Sequence, residues 1–159
     1  MSLTPDSFVV PERHETDGFL FRKLCFSDTE DDYAAVMSSI DVINQTRGKD
    51  WPDSSLTFEE DQIDLAWHQR EFEFRSSFAY VVYSPDESTY IGCFYLYPPG
   101  QRNERSANAD VDVSFWVTQA AYEQGLYEKL YKELDTWLSA EWPFETLGYS
   151  NDVIPEDIN

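Results

Sequence analysis

Basic residues are scarce in this sequence. Eleven Lys and Arg stand against 31 Asp and Glu among 159 residues, which gives a formal net charge of −20. A field of that sign repels nucleic acids and anionic membrane surfaces, so we expect neither as a partner. It attracts amines, metal ions and basic proteins, although keeping the protein soluble, for example in a saline habitat, is the simpler explanation of the charge.

Cysteines and long apolar runs are equally scarce. The two cysteines, Cys25 and Cys93, lie inside apolar runs, and we expect free buried thiols in a reducing compartment. No stretch approaches the length of a membrane span, and residues 1–17 form an arm without the basic start of a signal peptide. We therefore expect a cytoplasmic protein with one domain over residues 1–159 and an acidic tail over residues 151–159.

Motifs for hydrolases, nucleotide-binding loops and metal centres are absent. The sequence contains no Gly-x-Ser-x-Gly, no P-loop and no paired-cysteine motif. His68 and Glu71 share one helix face, but no second histidine completes a zinc set, and His14 lies in the arm. We therefore expect no metal site. Arg102 and Arg105 form a local basic pair that either holds a phosphate group or keeps its loop soluble.

Three segments have the apolar period of helices. The first two begin with capping boxes, Ser27 with Glu30 and Thr57 with Glu60, each followed by apolar residues at helical spacing. The third segment, over about 121–139, has leucines at steps of four residues. Each helix is therefore expected to pack one face against a sheet.

The other ordered segments have the period of β-strands. "GFLFRKLCF" is a first strand candidate, and "FAYVVYS" and "TYIGCFYLYP" form an antiparallel hairpin around "PDES". In "ADVDVSFWV" the apolar positions alternate with Asp112, Ser114 and Trp116, which point to the other face. A last short strand, "FETLGYS", completes the order β-α-α-β-β-β-α-β, an α/β pattern with antiparallel hairpins.

That order of elements resembles the GNAT superfamily of acyl-CoA N-acyltransferases. Three stretches carry the resemblance, and with "FETLGYSN" they cover most of residues 15–151: "HETDGFLFRKLCFSDTEDDYAAVM", "FAYVVYSPDESTYIGCFYLYP" and "VDVSFWVTQAAYEQGLYEKLYKELDTWL". The resemblance implies a mixed, mostly antiparallel twisted sheet of five or more strands flanked by three helices. It also implies that segments 109–117 and 144–150 run side by side in the same direction and open into a wedge.

The resemblance further implies a binding loop for acetyl-CoA at Gly125. Backbone N–H groups at a helix start have no helical partner, and a glycine lets a diphosphate approach them. Of the three positions that define the family's loop, Gly125 is kept, whereas Tyr122 replaces an Arg or Gln and Tyr127 replaces a Gly or Ala. The loop is either a cofactor cradle or an ordinary turn from strand to helix. The resemblance assigns cofactor contacts to Phe115, Trp116, Val117, Gln124, Gly125, Leu126, Tyr127 and Asn151.

Asp112 is the candidate catalytic residue. Acyl transfer to an amine needs a base, and Asp112 fits that role if its strand face lines the cleft; a solvated strand face is the alternative. The first functional hypothesis is an N-acetyltransferase-like protein that transfers an acyl group from acetyl-CoA to an amine of a small molecule or basic peptide.

The second hypothesis is a GNAT-fold binding or assembly module without CoA chemistry. The altered loop favours it, and so does the expectation that the family's last helix and hairpin have no counterpart in this sequence. An open sheet edge tends to be covered or paired. We therefore expect the edge of the fifth strand, 144–150, to be covered by the tail or by a second copy in a homodimer.

Overall fold

The computed structural model describes residues 2–155, which form a six-stranded sheet with helices on both faces. The strands are β1 (Arg13–Glu15), β2 (Leu20–Lys23), β3 (Phe78–Tyr83), β4 (Tyr90–Tyr97), β5 (Val111–Val117) and β6 (Leu147–Tyr149). The helices are α1 (Thr29–Met37), α2 (Ile40–Thr46), α3 (Phe58–Glu73), α4 (Gln119–Glu123) and α5 (Leu126–Glu141). No helix in this part of the chain is long and apolar enough to cross a membrane.

The strands lie in the sheet in the order of the sequence. Neighbouring strands are antiparallel except for β5 and β6, which are parallel, with Val111 opposite Leu147 and Val113 opposite Tyr149. A parallel neighbour requires a crossover, and α5 supplies it. The predicted mixed sheet, with its last two strands side by side in the same direction, is therefore confirmed.

Alternating side chains give the sheet a core on each face. Phe115 points to the face covered by α5 and shares a core with Leu130. The next residue, Trp116, points to the face covered by α1 to α3 and shares a core with Val36 and Leu65. The alternation predicted for β5 is therefore confirmed, although Asp112 and Ser114 on its second face are buried rather than solvated.

One of the two predicted capping boxes forms. Thr57 Oγ1 accepts from the Glu60 N–H at 3.1 Å, and the Glu60 carboxylate accepts from the Thr57 N–H at 2.9 Å. The prediction of a capping box by Ser27 and Glu30 is wrong, because a 3-10 turn precedes α1 and Asp28 takes the N-cap position. The first predicted helix is also divided into α1 and α2.

The arm predicted over residues 1–17 is attached to the domain. It contains β1, which pairs with β2, and His14 in β1 stacks on Trp137 of α5 with ring centroids 4.5 Å apart. The Arg75 guanidinium donates to the Pro5 carbonyl at 2.8 Å. The described part of the arm is therefore an edge of the sheet and not a separate element.

Candidate functional site

The turn before α5 is open in front of its glycine. The predicted helix over 121–139 is divided here into α4 and α5, and Gly125 lies between them with φ = +78°, a left-handed conformation that favours glycine. A Cβ built on Gly125 has no atom within 4 Å. The first N–H groups of the 16-residue α5 lack a partner within the helix. This backbone fits a diphosphate.

The side chains around the turn suit an anion less well. Glu123 is exposed two residues before the glycine, and Glu128 lies in the first turn of α5, where a negative charge opposes an incoming phosphate. Of the predicted contact residues here, Gln124 is exposed and Leu126 is half-buried. The helix start therefore fits a phosphate group through its backbone and not through its side chains.

Strands β5 and β6 separate beyond Val113. The last ladder bond runs from the Ser150 N–H to the Val113 carbonyl at 2.9 Å. The next backbone pair on this edge of β5 belongs to Phe115, and the fully buried side chain of Asn151 takes both groups. Asn151 Oδ1 accepts from the Phe115 N–H at 3.0 Å, and Asn151 Nδ2 donates to the Phe115 carbonyl at 2.9 Å. An amide side chain therefore fills the apex of the wedge.

Tyr127 closes the same gap from the side of α5. Its ring stacks on Phe115 with centroids 4.8 Å apart, and the residue is 5% exposed. Its hydroxyl donates to the Val153 carbonyl at 2.6 Å and accepts from Asn151 Nδ2 at 2.7 Å. Where the resembled family has Gly or Ala, a phenol ring occupies the space.

The chain after β6 forms a strap, which we define as residues 150–153, across the mouth of the gap. The N–H groups of Asp152 and Val153 bond to carbonyls at the C-terminus of α2 at 3.2 and 2.9 Å. The tail predicted over residues 151–159 therefore begins as a packed segment, and its residues 156–159 lie outside the described residues.

Trp116 and Val117 have their side chains in the cores. Trp116 is fully buried among α1 to α3, and its Nε1 donates to the Tyr95 hydroxyl at 2.9 Å. Val117 is 1% exposed and pairs with Gly92 of β4. Only the backbone atoms of these two residues could therefore contact a cofactor. Their assignment to a cofactor site stays a prediction.

Asp112 is fully buried and bonded on both carboxylate oxygens. It accepts from the hydroxyls of Ser106 and Ser150 at 2.7 Å each and from the Arg102 N–H at 3.3 Å. These contacts connect β5 to the preceding loop and to the strap. These bonds hold the carboxylate in place, and the role of Asp112 as a base stays a prediction.

A buried pair of acids lies between α1 and α3, where no motif pointed to a site. Asp61 is fully buried, no donor among residues 2–155 reaches its carboxylate oxygens, and in its protonated form it hydrogen-bonds to the carboxylate of Asp32. Asp32 is 2% exposed and accepts a bond from the Tyr90 hydroxyl. Burial raises the pKa of both carboxyl groups, and the charge of Asp32 raises that of Asp61 further. We therefore expect the pair to retain a proton at neutral pH.

The Cys93 thiol is buried, as expected, whereas Cys25 is only half-buried. Cys25 and Cys93 are both free, as predicted. Among the described residues 2–155, no group of three His, Cys, Asp or Glu side chains is arranged to hold a metal ion.

No protein-family model and no curated protein matches the sequence. Solved structures do match. The RimL ribosomal L7/L12 alpha-N-protein acetyltransferase has a TM-score of 0.60 at 14% identity, over 87% of this chain and 70% of that chain. The ribosomal-protein-S5-alanine acetyltransferase from Vibrio fischeri has a TM-score of 0.58 at 15% identity, over 80% and 67%. The microcin C7 self-immunity acetyltransferase MccE, solved with acetyl-CoA and AMP, has a TM-score of 0.58 at 10% identity, over 83% and 69%.

At these low sequence identities, the structural similarity concerns the fold alone. The six-stranded sheet with a parallel last pair, flanked by helices on both faces, is the fold of the GNAT acetyltransferases. The fold implied by the sequence resemblance is therefore confirmed, whereas the activity of this chain has to be argued from its own site.

Proposed function

We propose that the protein is an N-acyltransferase that transfers an acyl group from an acyl-CoA to an amine. The gap between β5 and β6 at Phe115 is the observation that carries this proposal. The strand edge there offers one N–H and one C=O, and both now pair with the amide of Asn151. The pantetheine arm of CoA contains amides of the same kind. It can therefore replace Asn151 without leaving these backbone groups unpaired.

Two parts of the site would hold the cofactor. The backbone N–H groups after Gly125 suit the diphosphate, because open space precedes a helix N-terminus there. The backbone of Phe115 suits the pantetheine amides. When bound, acetyl-CoA supplies the thioester whose acyl group is transferred. The acidic field of the chain favours a cationic acceptor, an amine of a small molecule or of a basic peptide.

The gap has to open before a cofactor enters. Asn151 must release Phe115, and the Tyr127 ring must leave its stacked position or shift along it. Binding then selects an open state over the closed one described here, and the apparent affinity is reduced by the fraction of closed protein. We therefore expect acetyl-CoA to bind weakly to the native protein.

A binding module without CoA chemistry is the second candidate. The closed gap favours it, because Asn151 and Tyr127 already satisfy the groups that a cofactor would use. The homodimer through the edge of β6 belongs to this candidate and stays a prediction. Light scattering on the purified protein tests it, and a strictly monomeric protein would contradict it.

Thermal unfolding with acetyl-CoA separates the two candidates. A ligand present at about 100 times its Kd, and binding only the folded state, stabilises that state by about 2.7 kcal/mol. We expect a rise in Tm that Gly125→Trp abolishes, because the indole covers the N–H groups at the start of α5. Gly125→Asn is the matched control, since it carries the same left-handed backbone with a small side chain. No rise at millimolar acetyl-CoA favours the binding module.

A further inference from the structure

A second cleft lies on the face of the sheet that α1 to α3 cover. Its volume is about 320 Å³, near the lower end of the usual range for small-ligand pockets. Its walls come from α3, from β4 and from the loops that follow α2 and β4. Its charged lining consists of Arg47, Arg102, Asp50 and Asp64, and its aromatic lining of Trp51, His68, Tyr95 and Tyr97.

Arg47 is a buried cation that forms no ion pair with the carboxylates of its cleft. The residue is 6% exposed, its Nε donates to Ser114 Oγ at 3.3 Å, and its guanidinium carbon lies 4.7 Å from the centroid of the Tyr95 ring. Within residues 2–155 it donates this one hydrogen bond, and its terminal N–H groups remain available in the cleft that the residue lines. A buried charge without a partner is unfavourable, and the planar guanidinium matches a carboxylate or phosphate with two parallel bonds.

Two more side-chain nitrogens in the cleft lack a partner. The Arg102 side chain is 9% exposed and pairs with Asp50 at 3.0 Å, but its buried Nε has no acceptor among the described residues. The buried Nδ1 of His68 also has no partner in that part of the chain, whereas the Nε2 of the same ring lies 3.4 Å from Asp64 Oδ2. Burial lowers the pKa of Arg102, and the nearby charge of Arg47 lowers it further. Two arginines of a strongly acidic chain thus converge on one cleft, where an anion would relieve their repulsion.

We propose that this cleft binds the anionic group of a small organic acid, with Arg47 as its anchor. Arg102 Nε supplies a further donor in the same cleft. The aromatic walls of Trp51 and Tyr97 suit a planar body next to the anionic group. Carboxylate and phosphate share this chemistry.

Anion binding in the cleft does not depend on acyl transfer. Only the identification of the ligand as the acceptor rests on the proposed function. We identify the ligand as the acceptor because Arg47 contacts Ser114, and Ser114 directly precedes Phe115, the residue at the gap, on β5. An acceptor bound in this way carries an anionic group in addition to its amine.

The test measures anion binding in the absence of CoA. A negative result therefore counts against the anion site and leaves the proposed acyl transfer untouched. Thermal unfolding at constant ionic strength is followed with sodium benzoate, with its neutral isostere benzamide and with inorganic phosphate. We expect a saturable rise in Tm with an anion and none with benzamide. A rise with benzoate identifies a carboxylate ligand, and a rise with phosphate alone identifies a phosphate ester. If neither anion raises Tm at millimolar concentration, the proposal is overturned.

The variant Arg47→Gln locates the effect. We expect it to abolish the rise while leaving the Tm of the free protein unchanged or higher, because it removes an unpaired buried charge. Arg70→Gln, an exposed arginine on α3, is the matched control and keeps the rise. If Arg47→Gln does not fold, Arg47→Lys keeps the charge without the planar fork, and we expect it to weaken anion binding about tenfold. An undiminished rise in the folded Arg47 variant overturns the proposal.

Discussion

Asn151 pairs both backbone groups of Phe115 through one side-chain amide, with Oδ1 3.0 Å from the Phe115 nitrogen and Nδ2 2.9 Å from the Phe115 oxygen. This amide takes the place of a β6 residue on the edge of β5, beyond the point where the two strands separate. Asn151 therefore contributes both to the stability of the gap and to the free energy needed to open it.

Removal of the Asn151 amide is expected to destabilise the protein. In Asn151→Ala the buried N–H and C=O of Phe115 lose their partner, and unpaired groups of this kind cost about 1–3 kcal/mol each. We expect the free energy of unfolding in urea to fall by about 2–5 kcal/mol. Asn108→Ala, at an exposed asparagine, is the control and is expected to change it by less than about 0.5 kcal/mol. Equal effects of the two variants would show that the amide contributes nothing.

Truncation of Tyr127 is expected to lower the stability of the protein and to raise its affinity for the cofactor. Tyr127→Ala removes a buried ring, which lowers stability by about 3–5 kcal/mol, and it empties the space beside Phe115. Under the proposed function, calorimetric titration shows tighter acetyl-CoA binding than in the native protein. Trp67→Ala, at an aromatic residue of α3 that is 58% exposed, leaves the affinity unchanged.

Weaker binding in Tyr127→Ala would mean that the ring contacts the cofactor instead of excluding it. Tyr127→Leu retains more of the packing, and it answers the same question if the alanine variant does not fold.

Replacement of Asp112 tests whether its carboxylate holds the surrounding structure in place or acts as the catalytic base. Asp112→Ala leaves the hydroxyls of Ser106 and Ser150 without their acceptor, so we expect a loss of about 2–5 kcal/mol in urea unfolding. Asp17→Ala, at an exposed residue, serves as the control. Native stability combined with abolished acetyl transfer would support the predicted base.

The buried acids give stability a dependence on pH. Burial and the charge of Asp32 raise the pKa of Asp61 to about 9, against about 3.9 for an ordinary Asp. Above pH ~4 the unfolded chain releases a proton that the folded protein retains. This contribution to stability is therefore complete below pH ~4 and is lost as the pH rises toward 9, at up to about 1.4 kcal/mol per pH unit.

Asp61→Asn cannot ionise, so we expect it to lose this slope and to be more stable than the native protein at pH ~8. The measurement is urea unfolding at several pH values from ~5 to ~8. Asp41→Asn, at an exposed position on α2, is expected to retain the native slope. A variant of Asp61 with the native slope would show that another group is responsible.

Part of this structure could be predicted from the sequence, because a strand with a core on each face alternates its side chains between the two cores. The alternation of Phe115 with Ser114 and Trp116 placed the two faces of β5 correctly. The turn at Gly125 was also located, because a left-handed residue before a helix favours glycine. Local rules of this kind depend on a few neighbouring residues.

The contacts that define the site depend instead on the path of the chain in space. Asn151 was predicted as a cofactor contact, but its pairing with Phe115 follows from where the strap crosses β5. Arg47 and Asp61 occur in polar stretches that resemble solvated helix surface, and only the packing of α2 and α3 on the sheet buries them. No sequence motif distinguishes them from their exposed neighbours.

The most direct test of the proposed site follows the side-chain amide of Asn151 by NMR while acetyl-CoA is added. We expect its two N–H resonances to shift in a saturable way, because the cofactor takes over the backbone groups of Phe115, and to stay in place in Gly125→Trp. Native Asn151 resonances that do not move at millimolar acetyl-CoA would contradict binding in the gap between β5 and β6.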